Sequence, residues 1–247
     1  MPRRAREKST TGIYHAMLRG INQQQIFEDD EDNEAFLDIL KTCKQMSGFK
    51  LYAYCLMGNH VHLILKTCEE ELDQIFKRIG TKYVYWYNCK YNRTGHLFQD
   101  RFKSEPIEDD SYFLTALRYV HQNPTKAGLV SDISTYKWSS YCEYTENPQI
   151  VDVAFALEII DPDEFVNFHK TEFNASCLEI TAPKIKVSDK KAKELILAWF
   201  GSNTVEAFQN IDKPERNIRI KMLKEAGLSI RQINRLTGVS KGVVERI

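Results

Sequence analysis

Two histidines one residue apart, His60 and His62, and a tyrosine with an asparagine four residues on, Tyr119 and Asn123, have types and spacing suited to chemistry. On a strand, residues two apart point to one face, so the His60 and His62 imidazoles would project side by side. Two imidazoles so placed can chelate a divalent ion. Two polar strand residues with unrelated hydrogen bonds meet the same spacing. A metallohydrolase would want further His and Asp ligands close by in sequence, and none follows. On a helix, Tyr119 and Asn123 lie one turn apart, so a phenol and an amide oxygen can reach one point. A phenol has a pKa of about 10 and attacks a phosphate only with help from a metal or base. Packing is the commoner use of a helical tyrosine, and spacing alone does not choose. His121 falls about 200° round the helix from Tyr119, which sets it apart from this pair.

Regular elements must hold these groups. Ile13, His15 and Met17 alternate with Tyr14, Ala16 and Leu18, which predicts a strand over Gly12–Arg19. The acidic run EDDEDNE leads into a helix expected near Asn33–Met46, its acids complementing the helix dipole. Lys50–Met57 and His60–Lys66 read as strands joined by a tight turn at Gly58-Asn59. Steps of three and four through Leu72, Ile75, Phe76, Ile79, Tyr83 and Trp86 predict a helix over about 69–92. Phe102–Ile107 reads as a strand and Asp110–Asn123 as a helix stopped by Pro124. On that helix Phe113, Leu114, Leu117 and Val120 form an apolar stripe, with Tyr112, Tyr119 and Asn123 on another face. The order strand, helix, strand, strand, helix, strand, helix predicts an α+β class with a ferredoxin-like core and a mainly antiparallel sheet. This core is expected over residues 1–145. Residues 146–187, richer in proline and with a helix near Asp163–Phe173, read as a connecting region. Residues 188–247 read as a small all-α domain.

The chain has 247 residues, 43% hydrophobic and 28% charged, which excludes wholesale disorder. Lys plus Arg number 34 and Asp plus Glu 34, a formal net charge of zero. That total conceals basic blocks at 1–20, 76–104 and 184–247, separated by acidic blocks at 21–75 and 105–183. Separate positive patches on a neutral protein suit an anionic polymer. No apolar run is long enough for a membrane span, and no h-region follows the basic start. The six cysteines are scattered without CxxC spacing. That argues against a zinc ribbon and fits reduced thiols in the cytoplasm.

Four ordered motifs bring a resemblance into view: Ile13-Tyr14-His15-Ala16-Met17-Leu18-Arg19-Gly20, Asn59-His60-Val61-His62, Arg93-Thr94-Gly95-His96-Leu97-Phe98-Gln99 and Arg118-Tyr119-Val120-His121-Gln122-Asn123-Pro124. Together with Ala127-Gly128-Leu129-Val130 and Trp138-Ser139-Ser140-Tyr141, they resemble the single-tyrosine HUH transposases. The match is nearest to the branch associated with repetitive extragenic palindromes and covers about residues 10–145. The resemblance implies a ferredoxin-like core that cleaves and rejoins single-stranded DNA at hairpin-flanked sites through a 5′-phosphotyrosine. It implies His60 and His62 as metal ligands, Tyr119 as nucleophile, and Asn123 at the position of a polar third ligand, with Mg²⁺ or Mn²⁺ as cofactor. Gly58 stands where relatives commonly carry proline. The acidic stretch 105–183 and the C-terminal addition also depart from the shorter members. A domesticated protein that binds and regulates DNA without cutting it stays open as the alternative, as do monomer and homodimer.

Basic and aromatic residues mix between Phe76 and Lys103. Basic side chains neutralise phosphates, and exposed rings stack unpaired bases. Tyr83 and Trp86 read as helix core, leaving Lys82, Lys90, Arg93, Arg101 and Lys103 as the DNA candidates. Arg3, Arg4 and Arg6 read either as a DNA-binding arm or as a disordered tail. Finally, 228–247 resembles a helix-turn-helix, with Ser229 capping the first helix, Gly238 in the turn and Ser240 capping the second. Ile230, Ile233, Leu236, Val239, Val244 and Ile247 would pack inside. Lys241, Gly242, Val243, Glu245 and Arg246 would then face a major groove of duplex DNA, with Lys241 and Arg246 as contacts. An ordinary helical hairpin fits the same pattern.

Overall fold

The computed structural model describes residues 6–171, 177, 189–201, 205, 208, 211–226, 228 and 230–246. Four strands, β1 (Ile13–Arg19), β2 (Lys50–Met57), β3 (His60–Lys66) and β4 (Lys103–Ile107), form one sheet in the order β2-β3-β1-β4. Every neighbouring pair is antiparallel. Helix α1 (Asp30–Ser47) joins β1 to β2, and α2 (Leu72–Lys90) joins β3 to β4. This is the expected ferredoxin-like arrangement. Helix α3 (Asp110–Lys126) follows β4.

Local chemistry sets these boundaries. Helix α1 starts earlier than Asn33 because Asp29 and Asp32 close a reciprocal capping box: Asp32 N–H donates to Asp29 at 3.1 Å and Asp29 N–H to Asp32 at 3.3 Å. It ends at Gly48, whose φ of 66° is the left-handed conformation that a glycine adopts freely. Helix α3 is not stopped by Pro124 but runs on to Lys126. The missing N–H costs one bond near the helix end, and Ala127 N–H still donates to Asn123 O at 2.9 Å.

The period of two decides which residues meet. His15, Met17 and Arg19 of β1 lie on one face, opposite Ile64, His62 and His60 of β3 in register. Ring contacts of His15 and His62 with Tyr119 place α3 over that face. Tyr14, Ala16 and Leu18 point the other way and are buried. On that side Leu18 shares a cavity wall with Phe76 and Gly80 of α2, and Phe36 of α1 packs edge-on against Tyr83 of α2.

The outer edge of β2 would expose unpaired backbone groups. It is covered by the Trp138–Tyr141 motif: Leu56 N–H donates to Trp138 O and Ser140 N–H to Tyr54 O. Glu143, in helix α4 (Tyr141–Thr145), accepts the Tyr54 hydroxyl at 2.9 Å and the backbone N–H groups of Gln149, Ile150 and Val151. Residues 146–171, expected as a connecting region, are thus built into the first unit, where they form α5 (Ala154–Ile159) and α6 (Pro162–Lys170). Their apolar residues, Val151, Ala156, Ile160 and Phe165, join the main core. The compact units are 1–179 and 180–247.

The second unit contains α7 (Asp189–Phe200), α8 (Lys213–Glu225), α9 (Ile230–Thr237) and α10 (Lys241–Arg246). Its own core includes Ile196, Phe208, Ile220, Leu223, Ile233, Leu236, Val239 and Val244. Gly238, with φ of 72°, turns the chain between α9 and α10. Ser240 O accepts the Val243 and Val244 N–H groups. Ser229 and Ile247 lie outside the described residues.

Candidate active site

The site is built where β3 and β1 run side by side beneath α3. His60 opens β3 directly after the Gly58-Asn59 turn, and Gly20 N–H donates to Asn59 O, fixing that turn against the end of β1. The His60 and His62 ring centroids lie 5.0 Å apart at 83°. Each ring uses Nδ1 for a neighbour. His60 Nδ1 lies 2.7 Å from Asn59 Oδ1, and His62 Nδ1 lies 2.9 Å from His15 Nε2. In both histidines Nε2 is the nitrogen that a ligand role would use.

Burial pushes the His60 imidazole down to about 4, and the nearby charge of Arg19 adds to the effect. His62 lies well below its ordinary value, again through burial first and then through His15 and His60. Both rings are therefore neutral near pH 7, the form a metal requires. Imidazoles suit a borderline cation such as Mn²⁺, and a harder Mg²⁺ would need additional oxygens. Among the described residues, no three His, Cys, Asp or Glu side chains gather as a cage. A cation held by the two histidines would need oxygens, from an amide or from a phosphate, to complete its donors.

Helix α3 supplies the other groups. The Tyr119 ring lies 5.7 Å from His62 and 5.8 Å from His15, edge-on to both. Asn123 Nδ2 donates to Tyr119 O at 2.8 Å, so the amide keeps Oδ1 as its free acceptor. Lys126 Nζ stands 4.9 Å from the Tyr119 ring centroid. From behind, α6 grips this helix: Arg118 donates to Phe168 O, and Gln122 to His169 O and Thr171 O. His121 turns away from Tyr119 and pairs with His169 at 3.0 Å, as its angular position on the helix predicts.

Two further residues belong to this site although nothing in their spacing pairs them with His60 and His62. His15 is fully buried on β1 and bridges His62 to Glu105 of β4, each hydrogen bond 2.9 Å long. Arg19 faces His60 in register, and its Nε is buried without a partner. Both lie within the first motif, and strand alternation could have placed them on the face of the histidines once β1 and β3 were known to pair.

The family model for IS200-like transposases matches residues 8–123. Residues 8–123 are thus similar to the IS200-like transposase family. The chain is also 26% identical over 148 residues to a Haemophilus influenzae protein assigned as a REP-associated tyrosine transposase, covering 55% of this chain and 83% of that one. The solved structure of a REP-associated tyrosine transposase bound to a REP hairpin superposes with a TM-score of 0.54 at 16% identity. It covers 73% of this chain and 100% of the other. At that identity the superposition establishes a shared fold.

The basic residues of the transposase segment fall into two groups. Lys82, Arg101 and Lys103 are exposed. Arg93 is half-buried, with its guanidinium 5.5 Å from the Tyr87 ring centroid and donating to His96 O. Lys90 is engaged by the acids around the start of α1, at 2.7 Å from Asp29 and 2.9 Å from both Glu31 and Asp32. Arg6 is pinned rather than free, stacked 3.7 Å over Phe102 and paired with Asp73. Arg3 and Arg4 lie outside the described residues. Of the rings, Tyr83 and Tyr87 are buried, whereas Tyr85 is 73% exposed. In the second unit Lys241 and Arg246 are exposed on α10, and Arg246 Nε folds back to Gly242 O. Among the described residues no helix is long and apolar enough to cross a membrane.

Proposed function

We propose that the protein is a DNA strand transferase that cuts and rejoins single-stranded DNA beside hairpins, with Tyr119 as nucleophile. The observation that carries this reading is the approach of the Tyr119 ring to His62, on the sheet face that also presents His60.

The Tyr119 phenolic oxygen attacks the scissile phosphorus in line, and the bond to the 3′ oxygen breaks. The phenolic proton is lost to solvent and the departing 3′ oxygen gains one. The products are a 5′-phosphotyrosine and a free 3′-hydroxyl, and attack by a second 3′-hydroxyl reverses the step without an external energy source. Lys126 favours the phenolate electrostatically from its place over the ring. Arg19, a desolvated cation beside His60, offers its unpartnered Nε to a phosphate oxygen. His60, His62 and Asn123 would hold a divalent cation, which supplies Lewis-acid polarisation of the phosphate when bound.

Lys82, Arg101 and Lys103 neutralise backbone phosphates while Tyr85 stacks an unpaired base; Lys82 and Tyr85 stand on α2, across the sheet from this site. The α9–α10 pair acts as a helix-turn-helix that brings Lys241 and Arg246 to duplex DNA. A DNA hairpin, such as the REP hairpin bound by the superposed transposase, is the kind of substrate expected here, in the cytoplasm.

The test is a covalent-adduct gel with labelled single-stranded hairpin DNA from the flanks of the gene, with Mg²⁺, Mn²⁺ or chelator. A denaturation-resistant band that needs both cation and Tyr119 is the expected result. An undiminished band with Tyr119→Phe overturns the assignment of the nucleophile. Binding without an adduct under every cation favours a DNA-binding regulator on the same fold.

A further inference from the structure

The metal-facing state of His62 depends on where its single proton sits, and the groups behind it determine that. His15 lies on the central strand, 0% exposed, with Glu105 as its register partner on β4. Its Nδ1 is 2.9 Å from Glu105 Oε1 and its Nε2 is 2.9 Å from His62 Nδ1. The two rings lie 5.1 Å apart at 32°. A carboxylate has no proton to give, so Glu105 accepts and His15 Nδ1 donates. A neutral imidazole carries one N–H, so His15 Nε2 can only accept. The donor is then His62 Nδ1–H, and His62 Nε2 keeps its lone pair. Run the other way, the chain needs two protons on His15 and puts the His62 proton on Nε2, closing that atom to a metal.

We infer that His15 and Glu105 are positioning residues that fix His62 as the Nδ1–H tautomer and so present its Nε2 to a divalent cation. This rests on the metal-dependent reading given above. Neighbouring groups support it. Glu105 also accepts a hydrogen bond from Tyr112, whose phenol is pushed up by burial and by that carboxylate. Two donors hold the carboxylate in place at the chain's end. Tyr112 stands on α3, the helix that carries Tyr119 and Asn123, so one helix reaches both the nucleophile and the anchor of the chain. His60 has the equivalent arrangement on a shorter scale. Asn59 Nδ2 donates to Gln23 O at 3.3 Å, which turns Oδ1 toward His60 Nδ1 at 2.7 Å. Both histidines therefore present the same nitrogen. Partners behind a metal-bound imidazole orient the ring and raise its basicity.

The experiment uses the full chain without DNA and has two readouts. Long-range proton–nitrogen NMR of isotope-labelled histidine reads the His62 tautomer directly, and electron paramagnetic resonance of free Mn²⁺ reads binding. The expected spectrum shows His62 protonated on Nδ1 and unprotonated on Nε2 before any metal is added. His15→Leu should weaken Mn²⁺ binding by about 10- to 100-fold. His15→Gln should stay within a few-fold of wild type, because its amide N–H can donate to Glu105 while its oxygen accepts from His62. Glu105→Leu should follow His15→Leu. Circular dichroism checks that each variant is folded, and the rescue by Gln separates proton placement from bulk packing. An Nε2–H tautomer in wild type, or Mn²⁺ binding unchanged in folded His15→Leu and Glu105→Leu, overturns the inference. A wild type with the Nδ1–H tautomer but no Mn²⁺ binding overturns the metal-dependent reading instead.

Discussion

The Tyr119 ring sits 5.7 Å from the His62 ring of the same chain and meets it edge-on at 79°. On the reading proposed above, nucleophile and ligand would belong to one polypeptide, and α3 is held in that place by Arg118, His121 and Gln122 bonding to α6. Exchange of α3 between two copies would break these hydrogen bonds. A mixture of Tyr119→Phe and His62→Ala proteins is expected to give no adduct on the hairpin gel, whatever their concentrations. Adduct recovered to near the wild-type amount would mean that α3 of one copy serves the histidines of another.

Asn123 tests the donor set from the other side. Its Nδ2 is held by Tyr119 O at 2.8 Å, so Oδ1 is the amide atom that could serve as a ligand. Asn123→Ala should raise the divalent cation needed for half-maximal cleavage by about 10-fold or more. Asn123→Asp, which keeps an oxygen at that point and adds charge, should bind Mn²⁺ at least as tightly as wild type. Titrating Mn²⁺ into cleavage reactions checks both. Equal half-saturation for Ala and wild type would remove Asn123 from the set.

The site was partly legible in the sequence because its main signals are local. His60 and His62 are two apart on a strand, and Tyr119 and Asn123 four apart on a helix, so alternation and helical period alone bring each pair together. The order of elements likewise gives the ferredoxin-like sheet. His15 and Glu105 carry no such signal: His15 lies 47 residues from His62 and 90 from Glu105, and only strand register joins them. Lys90 misleads for the same reason. It stands among basic residues in sequence, yet the helix packing of α2 on α1 brings it to Asp29, Glu31 and Asp32. The 146–171 segment reads as a connector because its helices are short. Its role comes from what it covers, the edge of β2 and the back of α3.

Lys90 also separates stability from DNA affinity. Asp32 is fully buried, accepts from the Tyr91 hydroxyl at 2.8 Å, and has Lys90 as its cation. Lys90→Met should lower Tm, because it strands a buried carboxylate. It should leave the salt dependence of single-strand binding unchanged. Replacing Lys82, Arg101 or Lys103 with Ala should do the reverse, reducing the slope of log K against log salt by about 0.7 for each phosphate no longer neutralised. A reduced slope for Lys90→Met at unchanged Tm would return Lys90 to the DNA surface.

The second buried histidine pair predicts how stability depends on pH. His121 Nδ1 lies 3.0 Å from His169 Nε2, His169 Nδ1 donates to Phe165 O at 2.9 Å, and His121 Nε2 lies 2.9 Å from Ser140 Oγ. Phe165, Tyr141 and Tyr144 surround the rings, and Arg118 is the charge nearby. With one proton on each ring the contact between them is satisfied, and the enclosed, largely aromatic surroundings disfavour the charge that a further proton brings. Burial accordingly pushes His169 down to about 4 and His121 well below its ordinary value. The unfolded chain takes up these protons near pH 6.5, while the folded chain does not until about pH 4. Across that window the unfolded state binds more protons, so stability falls as pH falls. His169 alone contributes a loss of about 3 kcal/mol by the lower end of the window. His60 and His62 add to it in the same sense. In His169→Gln, the amide oxygen can still accept from His121 but cannot titrate. Urea unfolding at a series of pH values should therefore give a shallower loss of stability for His169→Gln than for wild type, by up to about 1.4 kcal/mol per pH unit. Parallel curves for the two proteins would show that His169 is protonated in the folded state as readily as in the unfolded one.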